Sequence, residues 1–278
     1  MTNAENMIKD AINRSDELRA HAIEIFAQGS YANNTNVRRE SDVDICVTLT
    51  STTYNEYPVG LSGANYGFTK SRITFPQYRT MIKNALKNKF GAEHIIDGNK
   101  SIKIDENSYH VKADVVPSFM YKNYAIIESR DSAKYIEGIK FFAKDGAAVI
   151  NYPKIHKRNG IEKNNSTGGV YKRLVRIMKH IKNDMKELGQ CEGDIISSFL
   201  LECLVYHIPD SEITKYRLWQ DTVKNAIAYL YKKVEDGQAN NWYEVSGYIK
   251  LFDSDRKWKI MDVKDYLYRK WNYLGYEN

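Results

Sequence analysis

Residues 29–44 read Gly-Ser-Tyr-Ala-Asn-Asn-Thr-Asn-Val-Arg-Arg-Glu-Ser-Asp-Val-Asp: a glycine–serine turn, a polar loop and two aspartates that alternate with apolar residues. At the two-residue period of a strand, Asp42 and Asp44 share one face and the aliphatic residues lie on the other. Two carboxylates this close are costly to bury unless a cation neutralises them. Mg²⁺ suits such a pair because it takes oxygen ligands and leaves positions open for phosphates. The stretch therefore predicts a strand that carries part of a metal-dependent phosphoryl-transfer site.

A later stretch, Asp114-Val-Val-Pro, supplies a third carboxylate at the end of another alternating run. In a two-metal mechanism one ion activates the attacking hydroxyl and the other stabilises the leaving group. We expect Asp42 and Asp44 to bridge two Mg²⁺ or Mn²⁺ ions, and Asp114 to hold the ion that activates the acceptor. Gly29 and Ser30 can offer backbone N–H groups and a hydroxyl to a triphosphate. An isolated Asp-x-Asp pair is often only solvated, so the prediction depends on all three features together.

Composition is compatible with this chemistry and does not specify it. The 278-residue chain can form one bilobal unit or two small domains, and its net charge of +6 suits nucleotides as well as nucleic acid. No apolar run approaches the length of a membrane span, and the N-terminal residues lack a secretory-signal pattern. Cys46, Cys191 and Cys203 are widely spaced and odd in number, which predicts reduced thiols in a cytoplasmic protein.

The pattern of elements predicts an α/β (α+β) first part and a helical second part, divided as residues 1–150 and 151–278. The expected helices span residues 1–20, 77–89 and 167–188, the last with Ser166 or Thr167 as its cap. The expected strands are Ala22–Ala27, Val43–Leu49, Ile102–Ile104 and Tyr109–Val116, with Tyr124–Ile127 and Tyr135–Phe142 as possible additions. Residues 50–69 are rich in Ser, Thr, Asn and Gly and are predicted to form a long loop.

These motifs resemble the signature of the polymerase-beta-type nucleotidyltransferases, and within them the cGAS/DncV-like nucleotidyltransferases of bacterial anti-phage (CBASS) systems, clade E. The resemblance rests on Gly29-Ser30, Ser41-Asp42-Val43-Asp44, Asp114-Val-Val-Pro and the helix that begins Ser198-Phe199-Leu-Leu-Glu202. It extends from the first helix to about residue 220. It implies a polymerase-beta-like core sheet with a helical C-terminal lobe, a bilobal fold with the active site in the cleft.

The resemblance also assigns roles in the second half of the chain. It places Lys179 on the donor triphosphate with Ser198 beside it, and a lysine and a hydroxyl are reasonable partners for phosphate. A basic stripe on a helix is more often solvated, so this role comes from the family and not from the spacing. Phe199 can stack on a base, although an aromatic residue in this apolar run suits the core equally well.

Two further features bear on the choice of base. Clade E enzymes with an Arg/Gln-x-Trp motif, here Arg217-Leu-Trp219, are associated with pyrimidine donors and cyclic di-UMP. A tryptophan wall can exclude purines, and an arginine can donate to the carbonyl oxygens of uracil. The clade also uses an asparagine in the region of Asn164 and Asn165 for uridine preference, and the sequence leaves open which of the two. An interior tryptophan beside a solvated arginine is the simpler interpretation of an isolated Arg-x-Trp.

The function that the resemblance implies is condensation of two NTPs, with UTP favoured, into cyclic di-UMP through a linear intermediate with release of pyrophosphate. A product-sensing effector protein would act downstream, and no membrane or stable nucleic-acid partner is expected. The alternatives are a purine-containing product (cyclic UMP-AMP or cyclic di-GMP) and transfer of a single nucleotide to RNA, protein or a small molecule. A catalytically inactive nucleotide sensor is a further alternative, which the intact aspartates disfavour.

Overall fold

A computed structural model describes residues 2–37, 42–105, 112–190 and 195–276. Ser41, Cys191 and the first three residues of the predicted strand Tyr109–Val116 lie outside the described residues. The chain divides into two compact units, Met1–Ala32 with Glu40–Lys154 and Asn33–Arg39 with Ile155–Asn278. The assignment of separate roles to residues 1–150 and 151–278 stays a prediction.

The first unit is a mixed seven-stranded sheet with helices. Its helices are α1 (Thr2–Asn13), α2 (Asp16–Arg19), α3 (Gly29–Ala32) and α4 (Phe75–Phe90). Its strands are β1 (Ile23–Gln28), β2 (Val43–Glu56), β3 (Ile95–Asp97), β4 (Ile102–Ile104), β5 (Ala113–Asn123), β6 (Ile136–Phe142) and β7 (Ala148–Asn151). The strand order is β1-β2-β5-β4-β3, with β6 paired to β5 and β7 paired to β6. Among the strand pairs of the described residues, β2 and β5 run parallel and the others are antiparallel.

The alternation that predicted β2 also builds the core of this unit. Ile45, Val47 and Leu49 of β2 are fully buried, and they join a cluster that includes Ile8 of α1 and Ile82 of α4. Burial of an aliphatic side chain of this size contributes about 1.5–3 kcal/mol. The core therefore fixes the register of β2, since a shift by one residue would turn these side chains out and bury the aspartates.

The second unit is helical. It contains α5 (Pro153–Ser166), α6 (Val170–Glu187), α7 (Ser198–Tyr206), α8 (Asp210–Ile213), α9 (Trp219–Glu235) and α10 (Ile260–Tyr273). Its core joins α6, α7, α9 and α10 through Leu174, Leu201, Ile227 and Leu267. No helix in the described parts of the chain is long and apolar enough to cross a membrane.

Several predicted element bounds were wrong. The first helix ends at Asn13, and a separate short helix follows it. Residues 50–56 continue β2 and do not form a loop; the strand passes an irregularity between Leu49 and Thr53 and then pairs again with β5. Residues 124–127 form a turn, because the Asn123 side chain accepts a hydrogen bond from the Ile126 N–H (3.0 Å) and so favours a turn over a strand.

The start of α6 also differs from the prediction. Its N-cap is Gly169, not Ser166 or Thr167. Thr167 nevertheless provides a hydrogen-bond acceptor for the first turn of α6, because its hydroxyl accepts a hydrogen bond from the Tyr171 N–H at 3.2 Å. The N-terminal N–H groups of a helix lack partners within the helix, so a side chain from just upstream stabilises the end.

Candidate active site

Two adjacent strands bring Asp44 and Asp114 together. They are direct register partners in the parallel pair of β2 and β5. Val43 and Ile45, on either side of Asp44, are buried in the core, so Asp44 faces away from it. Asp42 lies just before the first residue of β2, two positions from Asp44. The sheet thus brings Asp44 and Asp114 together from chain positions that are seventy residues apart.

The electrostatics of these carboxylates favour binding of a cation. Burial, and then the charges of Asp114 and Asp42, raise the pKa of Asp44 to about 7. Burial also raises the pKa of Asp114, although the nearby Lys103 ammonium opposes that shift. The Oδ1 atom of Asp114 is buried and has no hydrogen-bond partner among the described residues.

The described side chains do not by themselves form a closed ligand set. Across residues 2–37, 42–105, 112–190 and 195–276, no three His, Cys, Asp or Glu side chains are grouped closely enough to hold one ion. The Asp42 carboxylate is 3.3 Å from the Lys112 ammonium, which partly neutralises it. The cluster still suits a hard divalent cation. It presents carboxylate oxygens, one of which is buried without a hydrogen-bond partner among the described residues, and a cation would relieve the repulsion between the carboxylates.

Gly29 is packed directly against Asp44. Gln28, the last residue of β1, pairs with Asp44, and Gly29 follows at φ +69°. A Cβ atom on Gly29 would lie 2.2 Å from Asp44 Oδ2. The glycine–serine turn is in fact the start of the short helix α3, and Ser30 is partly buried as its second residue. The structure therefore gives Gly29 a role that the sequence did not suggest, which is to leave room for the Asp44 carboxylate.

In the second unit, Lys179 is not presented to solvent. The residue is 1% exposed, and its Nζ donates to Glu202 Oε2 (3.0 Å), to Thr35 O (3.2 Å) and to Thr35 Oγ1 (3.1 Å). Because these bonds use all three N–H donors of the ammonium, this geometry does not favour the predicted triphosphate contact. The contact stays a prediction.

The lysine that bonds Ser198 is Lys182, one helical turn after Lys179. Lys182 Nζ donates to Ser198 Oγ at 3.3 Å. The prediction that paired Ser198 with Lys179 is corrected to this extent. The sequence did contain a signal for Lys182, because it continues the spacing of three and four residues that Lys172, Arg176 and Lys179 follow.

Phe199 follows Ser198 at the start of α7 and is 38% exposed. Its ring lies 5.7 Å from the His156 ring and 6.3 Å from the Trp258 ring, measured between centroids. Phe199 is thus held by two neighbouring rings while part of its surface stays accessible. Stacking of Phe199 on a base stays a prediction.

The two candidate asparagines differ in their contacts. Asn164 is partly buried, and its Oδ1 accepts a hydrogen bond from the Lys172 N–H at 3.2 Å. A backbone N–H can only donate, so the bond fixes which end of the amide faces α6. Asn165 is exposed. Asn164 therefore has a defined amide orientation, with its NH₂ group left to donate elsewhere.

Arg217 and Trp219 lie where α9 begins. Trp219 is the first residue of the helix and is 39% exposed, and Arg217 is exposed two residues earlier. Trp219 is therefore not the interior residue that the simpler interpretation of Arg-x-Trp predicts. Both side chains are accessible to a ligand, and their role in selecting a base stays a prediction.

Comparisons with known proteins agree with the fold. The nucleotidyltransferase domain family matches residues 8–192, and the cGAS/DncV-like nucleotidyltransferase C-terminal helical domain family matches residues 158–275. The chain is 39% identical over 277 residues to the cyclic dipyrimidine nucleotide synthase CdnE of Cecembia lonarensis, covering 99% of this chain and 92% of the relative. It is 37% identical over 274 residues to the cyclic dipyrimidine nucleotide synthase CdnE of Legionella pneumophila, covering 98% and 90%.

Solved structures give the same result. The Rhodothermus marinus CdnE c-UMP-AMP synthase with Apcpp and Upnpp aligns with a TM-score of 0.87 at 29% identity, over 100% of this chain and 92% of that one. The Elizabethkingia meningoseptica CdnE cyclic dinucleotide synthase with GTP and Apcpp aligns with a TM-score of 0.82 at 32% identity, over 99% and 92%. The chain therefore belongs to the cGAS/DncV-like nucleotidyltransferase family and is a cyclic dinucleotide synthase of the CdnE type.

Proposed function

We propose that this enzyme condenses two UTPs into cyclic di-UMP, releasing two pyrophosphates, and that it does so in cytoplasmic anti-phage signalling through an effector protein. The observation that carries the chemistry is the register pairing of Asp44 with Asp114, beside a glycine that leaves room for the Asp44 carboxylate. The observation that supports uridine is the fixed amide of Asn164. Relatives named as dipyrimidine synthases agree with that choice.

Asp42, Asp44 and Asp114 would hold two Mg²⁺ or Mn²⁺ ions. When bound, such ions lower the pKa of the attacking ribose hydroxyl and neutralise charge on the leaving pyrophosphate. The hydroxyl proton passes to Asp114 or to solvent, and Oδ1 of Asp114 is the oxygen that has no hydrogen-bond partner among the residues that the structure describes. A new O–Pα bond forms as the bond from Pα to the pyrophosphate breaks. The linear dinucleotide then binds again with its roles exchanged, and a second attack closes the ring.

The remaining proposed roles are phosphate contacts, and each of them uses residues of one unit. Gly29 and Ser30 would contact phosphates through the backbone N–H groups and the hydroxyl at the start of α3. Ser198, together with Lys182, is the better-supported phosphate contact in the second unit, because these polar groups already lie 3.3 Å apart. A lysine acts on a phosphate as a point charge and does not need a fixed approach angle.

The decisive test is incubation of the purified protein with Mg²⁺ or Mn²⁺ and all four NTPs, followed by mass spectrometry of phosphatase-resistant products. The mass of cyclic di-UMP is the expected result. A second candidate product is cyclic UMP-AMP, which the similarity to the Rhodothermus marinus enzyme favours. A purely purine product would overturn the uridine proposal, and a single nucleotide attached to RNA, protein or a small molecule in place of a cyclic product would contradict the proposed reaction.

Asn164→Asp is expected to shift the preferred base from uracil to cytosine or adenine. One carboxylate oxygen can still accept the Lys172 N–H bond, but the donor NH₂ becomes an acceptor that repels the O4 carbonyl of uracil and attracts an amine. A tenfold or larger fall in the UTP-to-CTP ratio of kcat/KM is expected, about 1.4 kcal/mol or more. The measurement is pyrophosphate release with each NTP separately.

Asn165→Asp is the matched control, since it adds the same charge one residue away on an exposed side chain. It is expected to leave the base preference unchanged. If Asn165→Asp changes the preference and Asn164→Asp does not, the assignment of the uracil-reading amide is reversed.

Trp219→Ala is expected to increase incorporation of purines at least threefold in a mixture of the four NTPs. Removing the indole lengthens the pocket that the tryptophan is proposed to limit, so a two-ring base no longer clashes. Tyr268→Ala is the control, because Tyr268 is also an exposed aromatic residue of the second unit. An unchanged product ratio in Trp219→Ala would show that this side chain does not select the base.

A further inference from the structure

Residues 33–37 form a strap that follows α3 and precedes Asp42. The strap groups with the second unit, whereas α3 before it and β2 after it belong to the first. In the chain, Ser30 precedes the strap by three residues and Asp42 follows its last residue by five. A contact that holds the strap therefore restrains the backbone that leaves α3 and leads to Asp42.

Glu202 of α7 is the main anchor of the strap. Its Oε2 accepts hydrogen bonds from Thr35 Oγ1 (2.7 Å) and Lys179 Nζ (3.0 Å). Its Oε1 contacts Asn33 Nδ2 (3.3 Å) and His156 Nε2 (3.0 Å). The carboxylate therefore binds two strap side chains and ties them to two helices of the second unit.

Lys179 completes the anchor from α6. It donates to both the carbonyl and the hydroxyl oxygen of Thr35 as well as to Glu202. One turn earlier, Arg176 NH1 donates to the Asn34 carbonyl at 2.6 Å. Asn34 has φ +55°, in the left-handed region that asparagine adopts more readily than most residues other than glycine, so the turn at the start of the strap is compatible with its sequence.

The anchor is buried and charged. Thr35, Lys179 and Glu202 are 0%, 1% and 4% exposed. Burial alone would raise the pKa of Glu202, but the His156 hydrogen bond, the Lys179 charge and the Thr35 hydrogen bond hold it at about 2. Such a buried pair offers little net stability over apolar residues of similar size, so its main effect here is to hold the strap and the helices in one arrangement.

We propose that Glu202 is a positioning residue for nucleotidyl transfer: through Thr35 and Lys179 it fixes the strap between Gly29–Ser30 and Asp42. Its effect on catalysis rests on the proposed function, whereas the anchoring of the strap does not. Lys179 then serves as the partner of Glu202 and not as a ligand of the donor triphosphate. A small misplacement of reacting groups can cost about a hundredfold in rate, so a loosened strap is expected to lower kcat.

Thr35→Val tests the strap contact without disturbing the charges. Valine has the shape of threonine, but it removes the hydroxyl that joins the strap to Glu202, and the contact of Lys179 with the Thr35 carbonyl can remain. We expect kcat for pyrophosphate release to fall tenfold to a hundredfold while KM for NTP changes less than threefold. Thr35→Ser, which keeps the hydroxyl, is expected to retain most of the activity.

A second pair of variants separates the two roles of Lys179. If it is the partner of Glu202, Lys179→Met and Glu202→Gln are each harmful because each leaves one buried charge without its partner. The double variant is then expected to unfold at a higher temperature than either single variant and to recover part of kcat. If Lys179→Met instead raises KM for NTP tenfold with kcat intact, and the double variant shows no recovery, Lys179 is a triphosphate ligand and the proposal is wrong.

Hydrogen–deuterium exchange of residues 29–37 gives a readout that does not depend on turnover. Faster exchange in Thr35→Val than in wild type and Thr35→Ser is the expected result. Faster exchange in a protein that releases no pyrophosphate from any NTP would support the anchor and overturn the proposed function. Equal exchange in all three proteins, together with unchanged kcat, would overturn the anchor itself.

Discussion

Asp44→Asn is expected to abolish pyrophosphate release and, in the same protein, to raise the midpoint of thermal unfolding when divalent metal is chelated. Loss of a carboxylate ligand should lower kcat at least about a thousandfold, which corresponds to several kcal/mol of transition-state stabilisation. The gain in stability follows from burial and from the charges of Asp114 and Asp42, which raise the pKa of Asp44 to about 7. In the metal-free protein the ionised Asp44 carboxylate therefore opposes folding.

The gain in stability of Asp44→Asn is expected to increase with pH. Because the folded pKa lies above the ordinary value of 3.8, the favourable contribution of protonated Asp44 is complete below about pH 4 and is lost as the pH rises through 7. Asparagine is neutral throughout, so its advantage should grow from pH 4 to pH 8, with an upper limit of about 4 kcal/mol. A rise of roughly 3–8 °C at pH 8 is the expected result for a chain of this size.

Asp97→Asn provides the matched contrast. The Asp97 carboxylate accepts a 2.7 Å bond from Arg79 and a 3.2 Å bond from Lys83, and these cations outweigh burial and lower its pKa to about 2. The same substitution should therefore destabilise the fold here. Scanning calorimetry of both variants in a chelator checks the pair. A fall in the unfolding midpoint of Asp44→Asn would contradict the electrostatic account of the site.

Gly29→Ala is the second variant with a large expected effect. The backbone φ of +69° costs an alanine about 1–2 kcal/mol, and its Cβ would meet Asp44 Oδ2 at 2.2 Å. The carboxylate or the turn has to move, so we expect at least a hundredfold loss of kcat/KM together with a lower unfolding midpoint. Pyrophosphate release and calorimetry measure the two effects separately.

Gly67→Ala separates strain from the clash. Gly67 has φ +71°, nearly the same as Gly29, but a Cβ atom there has no neighbour within 4 Å. It should show the strain alone, as a modest loss of stability with activity near that of wild type. If the two alanine variants behave alike, the contact between Gly29 and Asp44 has no functional consequence.

The sequence predicted correctly those features of the fold that the pattern of apolar and polar residues within one segment determines. Alternation around Asp42 and Asp44 predicted the strand and the face of its aspartates, because burial of Ile45 and Val47 leaves only one register. The resemblance of whole motifs then identified the family. The same motifs also predicted Asp114 as the third carboxylate of the site, but its register directly opposite Asp44 depends on the pairing of two distant strands, which no spacing in the sequence reveals.

The errors have physical causes. Residues 50–56 carry the polar composition of a loop, yet pairing with β5 holds them in a strand, since cross-strand partners can override local propensity. The proposed phosphate contact of Lys179 came from the family resemblance, and nothing in the local sequence predicted that this side chain is buried. Its burial depends on Thr35, more than a hundred residues away, and on Glu202 in the next helix.

The position of the strap also determines how this protein can be divided. Because residues 33–37 group with the second unit and both flanking segments group with the first, no single cut yields two complete units. A fragment that ends at residue 154 keeps the strap but loses Glu202, and the remaining fragment keeps Glu202 and Lys179 without Thr35. Swapping whole C-terminal halves between related enzymes should therefore work best when residues 33–37 are exchanged with them.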